Sequence, residues 1–204
     1  MTYRIPKTKK NLHQCDYHLN LMEQSHNIEE FEINFTAFVI SARSVTFVLQ
    51  KEFGKDPKFV KWYGDKNNPQ KNTKIYEMRE DSLCHFFLNL RNTIEKEGIS
   101  GLKGISTQIQ SFNSKTDILN KPEGMQGLTI GPSGIFIRVF PNTPKADSIP
   151  AITKAVISTT IVLENTPKTH LGKDIKNYNI MEISKLYYEY LKKLVEEFTK
   201  IINE

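Results

Sequence analysis

FFLNLRNTIEKEG, residues Phe86 to Gly98, decides how this chain is read. Phe86, Phe87, Leu90 and Ile94 recur at helical spacing, so the segment forms the end of an amphipathic helix. Gly98 is placed to stop it, because glycine takes the left-handed turn after a helix without steric cost. Arg91 and Asn92 sit side by side in that helix, with Lys96 five residues after the arginine. They form a site, or they are the charged end of a core helix with Arg91 paired to Glu95 one turn on.

Working outward, this third long helix extends back to about Tyr76 and faces Leu83 inward. An earlier helix over residues 28–53 carries two apolar stripes. One is Phe31, Phe35, Phe38, Ala42, Val45, Leu49 and Phe53; the other is Ile33, Ala37, Ile40, Ser44 and Phe47. Apolar residues on two faces predict partners on both sides, at the centre of a bundle. A first helix spans 8–25, with Leu12, Cys15, Leu19 and Met22 stepping by three, four and three. Gly54 and Asp56-Pro57 close the second helix, and residues 58–74 read as a polar connection anchored by Trp62 and Tyr63. The last helix, Ile180 to Asn203, carries a long apolar stripe. Asn179 caps it, with Glu182 as the reciprocal partner of a capping box.

Between the third and last helices the texture changes. Seven of the ten glycines lie between Gly98 and Gly134, and six of the nine prolines between Pro122 and Pro167. The stretches ISTQIQSF, GIFIRVF and AVISTTIVL are rich in β-branched and aromatic residues, and TIGPSGIFI reads as two strands joined by Gly131-Pro132-Ser133-Gly134. The expectation is a small antiparallel sheet of three or four strands. It is inserted over residues 99–176 into a helical bundle made of 8–98 and 177–203, the whole a single α+β domain of 1–204.

The chain has 204 residues, enough to bury a full core without staples. Its two cysteines, Cys15 and Cys84, form no CxxC pair, so neither a disulfide framework nor a zinc knuckle is expected. MTYRIPKTKKN lacks the apolar stretch of a secretory signal, and no run approaches 18 apolar residues. A cytoplasmic protein off the membrane is the expectation. A net charge of +5 permits polyanion binding without demanding it. Arg4, Lys7, Lys9 and Lys10 crowd the first ten residues with no acid among them.

An all-helical core with Arg91-Asn92-Thr93-Ile94-Glu95-Lys96 near the end of its third long helix resembles the HEPN superfamily, helical bundles with a recurrent RNxxxH motif. Phe35 to Phe53, FTAFVISARSVTFVLQKEF, also looks like the second helix of bacterial HEPN-like proteins, and Glu97-Gly98 continues their pattern. The resemblance implies an up-down four-helix bundle and a homodimer, with Arg91, Asn92 and Lys96 near the two-fold cleft. It implies a metal-independent ribonuclease of toxin or defence type, acting on RNA or nucleotide phosphate without a cofactor. A cognate antitoxin or a nucleotidyltransferase is the implied partner.

The departure lies at Lys96, where the motif has histidine. An arginine fork holds a scissile phosphate, and a histidine moves protons near neutrality. A lysine, with a pKa near ~10.4, stays protonated and serves only as a point charge unless its surroundings depress it by roughly three units. Reduced or absent cleavage with retained binding is therefore expected. The competing expectation is a catalytically silent homodimeric interaction module.

Arg43 lies in the middle of an apolar helix, on a polar strip or in the same cleft as Arg91. Lys61 and Trp62 are candidates to hold and stack RNA, against the plainer role of anchoring a loop. His13, Cys15 and His18 have a ligand-like spacing, but on a helix Cys15 and His18 share a face that His13 does not, and Cys15 is on the apolar stripe, so no metal site is assigned. Cys84 and His85 point to different sides of a helix. His170 sits in a loop as a candidate replacement for the missing imidazole.

Overall fold

A computed structural model describes residues 5–25, 28–98, 100, 102–111, 125–131, 134–139, 148–150, 156–163 and 165–204. The fold is α+β. It divides into two compact units, one of residues 1–103 with 162–204 and one of residues 104–161.

The helical unit begins with α1 (Pro6–Gln24), which has proline in its first turn, where the missing N–H costs nothing. It pairs with α2 (Ile28–Phe53). Thr8 Oγ1 donates to Glu52 Oε2 at 2.7 Å, bringing the start of one helix to the end of the other, so the pair is antiparallel. The first stripe of α2 is buried from Phe31 to Leu49. The second is not: Ile33, Ile40 and Phe47 are exposed at 63%, 39% and 51%. The expectation that this helix is covered on both sides is corrected, because its partners, the helices over 6–24, 82–97 and 180–203, leave the second stripe uncovered. Among the described residues α2 alone is long and apolar enough to cross a membrane by length and composition, a test that core helices also pass.

The expected polar connection holds a further helix, α3 (Pro57–Tyr63). Asp56 caps it, accepting from the N–H of Lys58 at 2.8 Å and of Phe59 at 3.2 Å, and Pro57 fills its first position. Asp-Pro thus ends one helix and starts the next. Gly64 follows at φ 96°, where a Cβ would lie 2.6 Å from Thr73, so only glycine passes here.

The single helix expected over 76–97 is two, α4 (Lys74–Glu80) and α5 (Ser82–Glu97), broken at Asp81. The apolar pattern runs through the break. What interrupts the backbone is the Asp81 carboxylate, which turns back to accept the N–H of Cys84 at 2.9 Å and cap α5. Gly98 ends α5 at φ 69°, in the left-handed region. The last helix, α6 (Ile180–Asn203), opens with both halves of the Asn179–Glu182 capping box. Its apolar stripe fills the centre of the unit. Phe87 of α5 stacks on Tyr187 of α6 at 4.2 Å, and Phe38 of α2 meets Phe87 edge-on. Among the described residues there are thus four long helices and two short ones, α3 and α4, where sequence reading had placed four.

Strand β1 (Leu102–Ser111) pairs with β5 (Val156–Leu163). Strands β2 (Met125–Gly131), β3 (Gly134–Val139) and β4 (Ser148–Pro150) form an antiparallel sheet in that order. Gly131 stands opposite Gly134, as the reading of TIGPSGIFI expects, and a bulge shifts the register between Met125 and Gly127. Pro132 and Ser133, the centre of the expected turn, lie outside the described residues, as do Arg4, Phe112, Phe140 and Ala155. The end of the expected insertion behaves differently. Strands β6 (Thr169–His170) and β7 (Lys173–Asp174) make a small hairpin that packs on α5 in the helical unit.

Candidate functional site

Three cations meet at one cavity of the helical unit. Arg43 comes from the middle of α2, Lys66 from the loop after α3, and Arg79 from the end of α4. The cavity measures about 280 Å³. Its floor is apolar and aromatic: Tyr63, Ile75, Cys84 and Tyr187 line it and are all buried. Gln50, Phe47 and His85 also face it, and among the described residues no aspartate or glutamate does.

Local hydrogen bonds hold this arrangement. Arg43 Nη1 donates to Thr46 Oγ1 at 2.7 Å, one turn along the same helix, which steers the guanidinium along α2. Arg79 Nη2 donates to the carbonyl of Lys66 at 2.7 Å, tying α4 to the loop. Gln50 Nε2 donates to the Tyr63 hydroxyl at 2.8 Å. Burial pushes the Tyr63 phenol up to about 12, against the opposing pull of the Arg43 and Arg79 charges and the Gln50 hydrogen bond. Tyr63 therefore stays neutral and serves as a wall. Burial also raises the Cys84 thiol, with Asp81 adding to the effect, so it is no nucleophile at neutral pH. Permanent positive charge at the rim, over a floor that excludes water, attracts a phosphate or another anion.

The motif residues of the sequence reading are placed otherwise. Arg91 Nη2 lies 2.6 Å from Glu95 Oε1, and Nη1 donates to Asn92 Oδ1 at 3.2 Å. The guanidinium is thus engaged along its own helix, and Arg91 does not line the Arg43 cavity. Lys96 is exposed in the last turn of α5. Lys61 is exposed on α3. Trp62 stacks on Phe198 at 5.2 Å and donates through Nε1 to Glu197 at 2.9 Å, so it anchors α3 to α6. The plainer of its two readings fits this geometry, because its face is already covered.

His170 is buried against Asp81 at the start of α5, whereas Lys96 stands in the last turn of that helix, so the imidazole is far from the position it was suggested to fill. Among the described residues no three histidine, cysteine, aspartate or glutamate side chains gather as metal ligands would. Sequence reading found Arg43 and missed Lys66, Arg79 and His85. The available signal was the concentration of lysine and arginine between Lys51 and Arg79, which reads equally well as a solvated face.

A second cleft, of about 490 Å³, runs between α5 and residues 165–169. His85 lines this one also, beside Ser82 and Asn89. Its Nδ1 lies 3.1 Å from Asn89 Nδ2.

Fold and cavity together define an α+β protein whose helical unit carries a basic, aromatic-floored recess. The sequence profile of bacteriophage lambda protein ea47 matches residues 3–192, and the chain belongs to that family. Protein ea47 of Escherichia phage lambda is 33% identical over 92 residues, which is 44% of this chain and 21% of the phage protein. The chain thus matches about a fifth of the length of that curated relative. No solved structure matches it.

Proposed function

We propose that this protein binds the phosphate of RNA or of a nucleotide in the recess formed by Arg43, Lys66 and Arg79. One observation supports the reading above the rest: three cations from three segments line one cavity, with no acid around it among the described residues. The buried aromatic floor suits a base or ribose beside the phosphate. His85 lies on the same wall. The HEPN-like bundle, the homodimer and the ribonuclease of toxin or defence type belong to this proposal as its finer part. Arg91, Asn92 and Lys96 are the centre that the resemblance would assign.

The test is a titration of a fluorescent single-stranded RNA oligonucleotide at several salt concentrations, with free nucleotide as competitor. Salt-dependent binding that weakens in Arg43→Ala and in Arg79→Ala, with the logarithmic salt slope falling by about one for each lost phosphate contact, supports the reading. Binding that ignores both substitutions sinks it. For the finer part, Lys96→His is incubated with RNA. Cleavage that appears with this change and vanishes on adding Arg91→Ala favours the ribonuclease; intact RNA in both favours a binding protein.

A further inference from the structure

The uncovered stripe of α2 runs Ile33, Ala37, Ile40, Ser44, Phe47, in steps of four, three, four and three. That is the 3.5-residue repeat of a seam between two helices wound about each other. A helix merely exposing stray apolar residues has no reason to keep it. The three large members are exposed, and the two between them are small, which allows a second backbone to approach closely.

The charges around the stripe indicate the partner. Glu29 precedes Ile40 by eleven residues and Lys51 follows it by eleven. Eleven residues are three turns plus about 20°, so both lie on the face of the stripe, one at each end. Both are exposed. Lys51 Nζ sits 5.0 Å above the Phe47 ring, at the edge of the apolar surface. A second α2 laid antiparallel with Ile40 on the two-fold axis brings Ile33 opposite Phe47 and Glu29 opposite Lys51, twice by symmetry. In this register the two ends of the face are complementary in charge. A lipid surface asks for a different pattern, basic residues along both flanks of the apolar stripe, whereas here the N-terminal end of the face is acidic.

We infer that this face of α2 is a homodimer interface, occupied by α2 of a second copy running antiparallel about Ile40. It is separate from the Arg91 helix, where the family resemblance would put a two-fold axis. Phe47 belongs both to this face and to the lining of the basic recess, so the two proposals meet at that residue and are tested by different substitutions.

The test uses the full chain. Sedimentation equilibrium of the wild type should show a monomer–dimer equilibrium. Lys51→Glu should raise the dissociation constant by roughly tenfold, and adding Glu29→Lys should restore it, since both reversed pairs are then opposite in sign again. The native cysteines are buried, so Ile40→Cys reports on the interface alone. It should form a covalent dimer in an oxidised glutathione buffer, because residue 40 meets its own symmetry mate. Ile33→Cys, which faces Phe47, should not. Circular dichroism checks that each variant is folded. A wild type that stays monomeric at high concentration, a monomer that sediments with anionic vesicles, or crosslinking at residue 33 in place of residue 40 would each overturn the inference.

Discussion

His170 Nδ1 lies 3.0 Å from Asp81 Oδ1, across 89 residues of sequence, with both side chains buried. The same carboxylate accepts the N–H of Leu171 at 2.7 Å and caps α5 through Cys84. One aspartate therefore breaks the α4–α5 helix, starts its second half and pins the β6–β7 hairpin. Burial pushes its carboxyl up, but the hydrogen bonds from His170, Leu171 and Cys84 outweigh burial and hold it at about 2, below the ordinary 3.8. A depressed carboxyl stabilises the fold fully above the unfolded value and loses that contribution as pH falls through the folded one. Chemical denaturation followed from pH 6 downward should therefore show a loss of about 2 kcal/mol between roughly pH 4 and pH 2. Asp81→Asn, which keeps the helix cap but not the charge, should be less stable by about the same amount at pH 6 and flatter across that window. An unchanged acid profile in Asp81→Asn would show that other carboxylates carry it.

The hairpin at residues 169–174 was beyond sequence reading because the carboxylate that pins it lies 89 positions away. The break at Asp81 is set locally, by its cap on the N–H of Cys84, but the apolar pattern from Ile75 to Ile94 is that of one continuous helix and hides it. The capping box of α6 was legible because its two members are three residues apart and act on each other. Helix α3 was legible in principle from Asp56-Pro57, a cap followed by the residue that suits the first helical position. The basic recess could not be read, since Arg43, Lys66 and Arg79 meet only after three separate segments have packed. Arg91 drew attention because its neighbours spelled a motif, and a motif says nothing of which way a guanidinium is turned.

Gly64 links the fold to the recess. It stands between Tyr63 of the floor and Lys66 of the rim, at a φ that side chains avoid and with Thr73 too close for a Cβ. Gly64→Ala should destabilise by about 2 kcal/mol or more, because strain and overlap both act in the folded state. RNA binding should weaken as well, measured at a temperature where the variant remains folded. Stability near that of the wild type would mean that the loop has room to move.

Trp62 is the indicated anchor of α3. Its ring stacks on Phe198, its Nε1 donates to Glu197, and Glu197 Oε2 lies 3.0 Å from Lys74 Nζ of α4. Trp62→Ala should cost about 2–3 kcal/mol by removing half-buried area and a hydrogen bond. Trp62→Phe keeps the stack and should recover most of it. If instead Trp62→Phe abolishes RNA binding in a protein of normal stability, the indole contacts the ligand directly.

Arg43 and Arg91 separate the two readings of function, since each was a candidate for the same role. Arg43 opens on a cavity that no acid lines among the described residues, while Arg91 already holds a carboxylate at 2.6 Å on its own helix. A half-exposed pair one turn apart contributes little, so Arg91→Ala should lower stability by less than about 0.5 kcal/mol. It should leave both the affinity for single-stranded RNA and its salt slope where they are. Arg43→Ala should do the reverse. Among the described residues its guanidinium hydrogen-bonds one neighbouring hydroxyl, so its loss should move the binding isotherm and the salt slope far more than the melting curve. Should Arg91→Ala remove binding while Arg43→Ala preserves it, the anion lies at the end of α5, and the recess is a structural feature without a ligand.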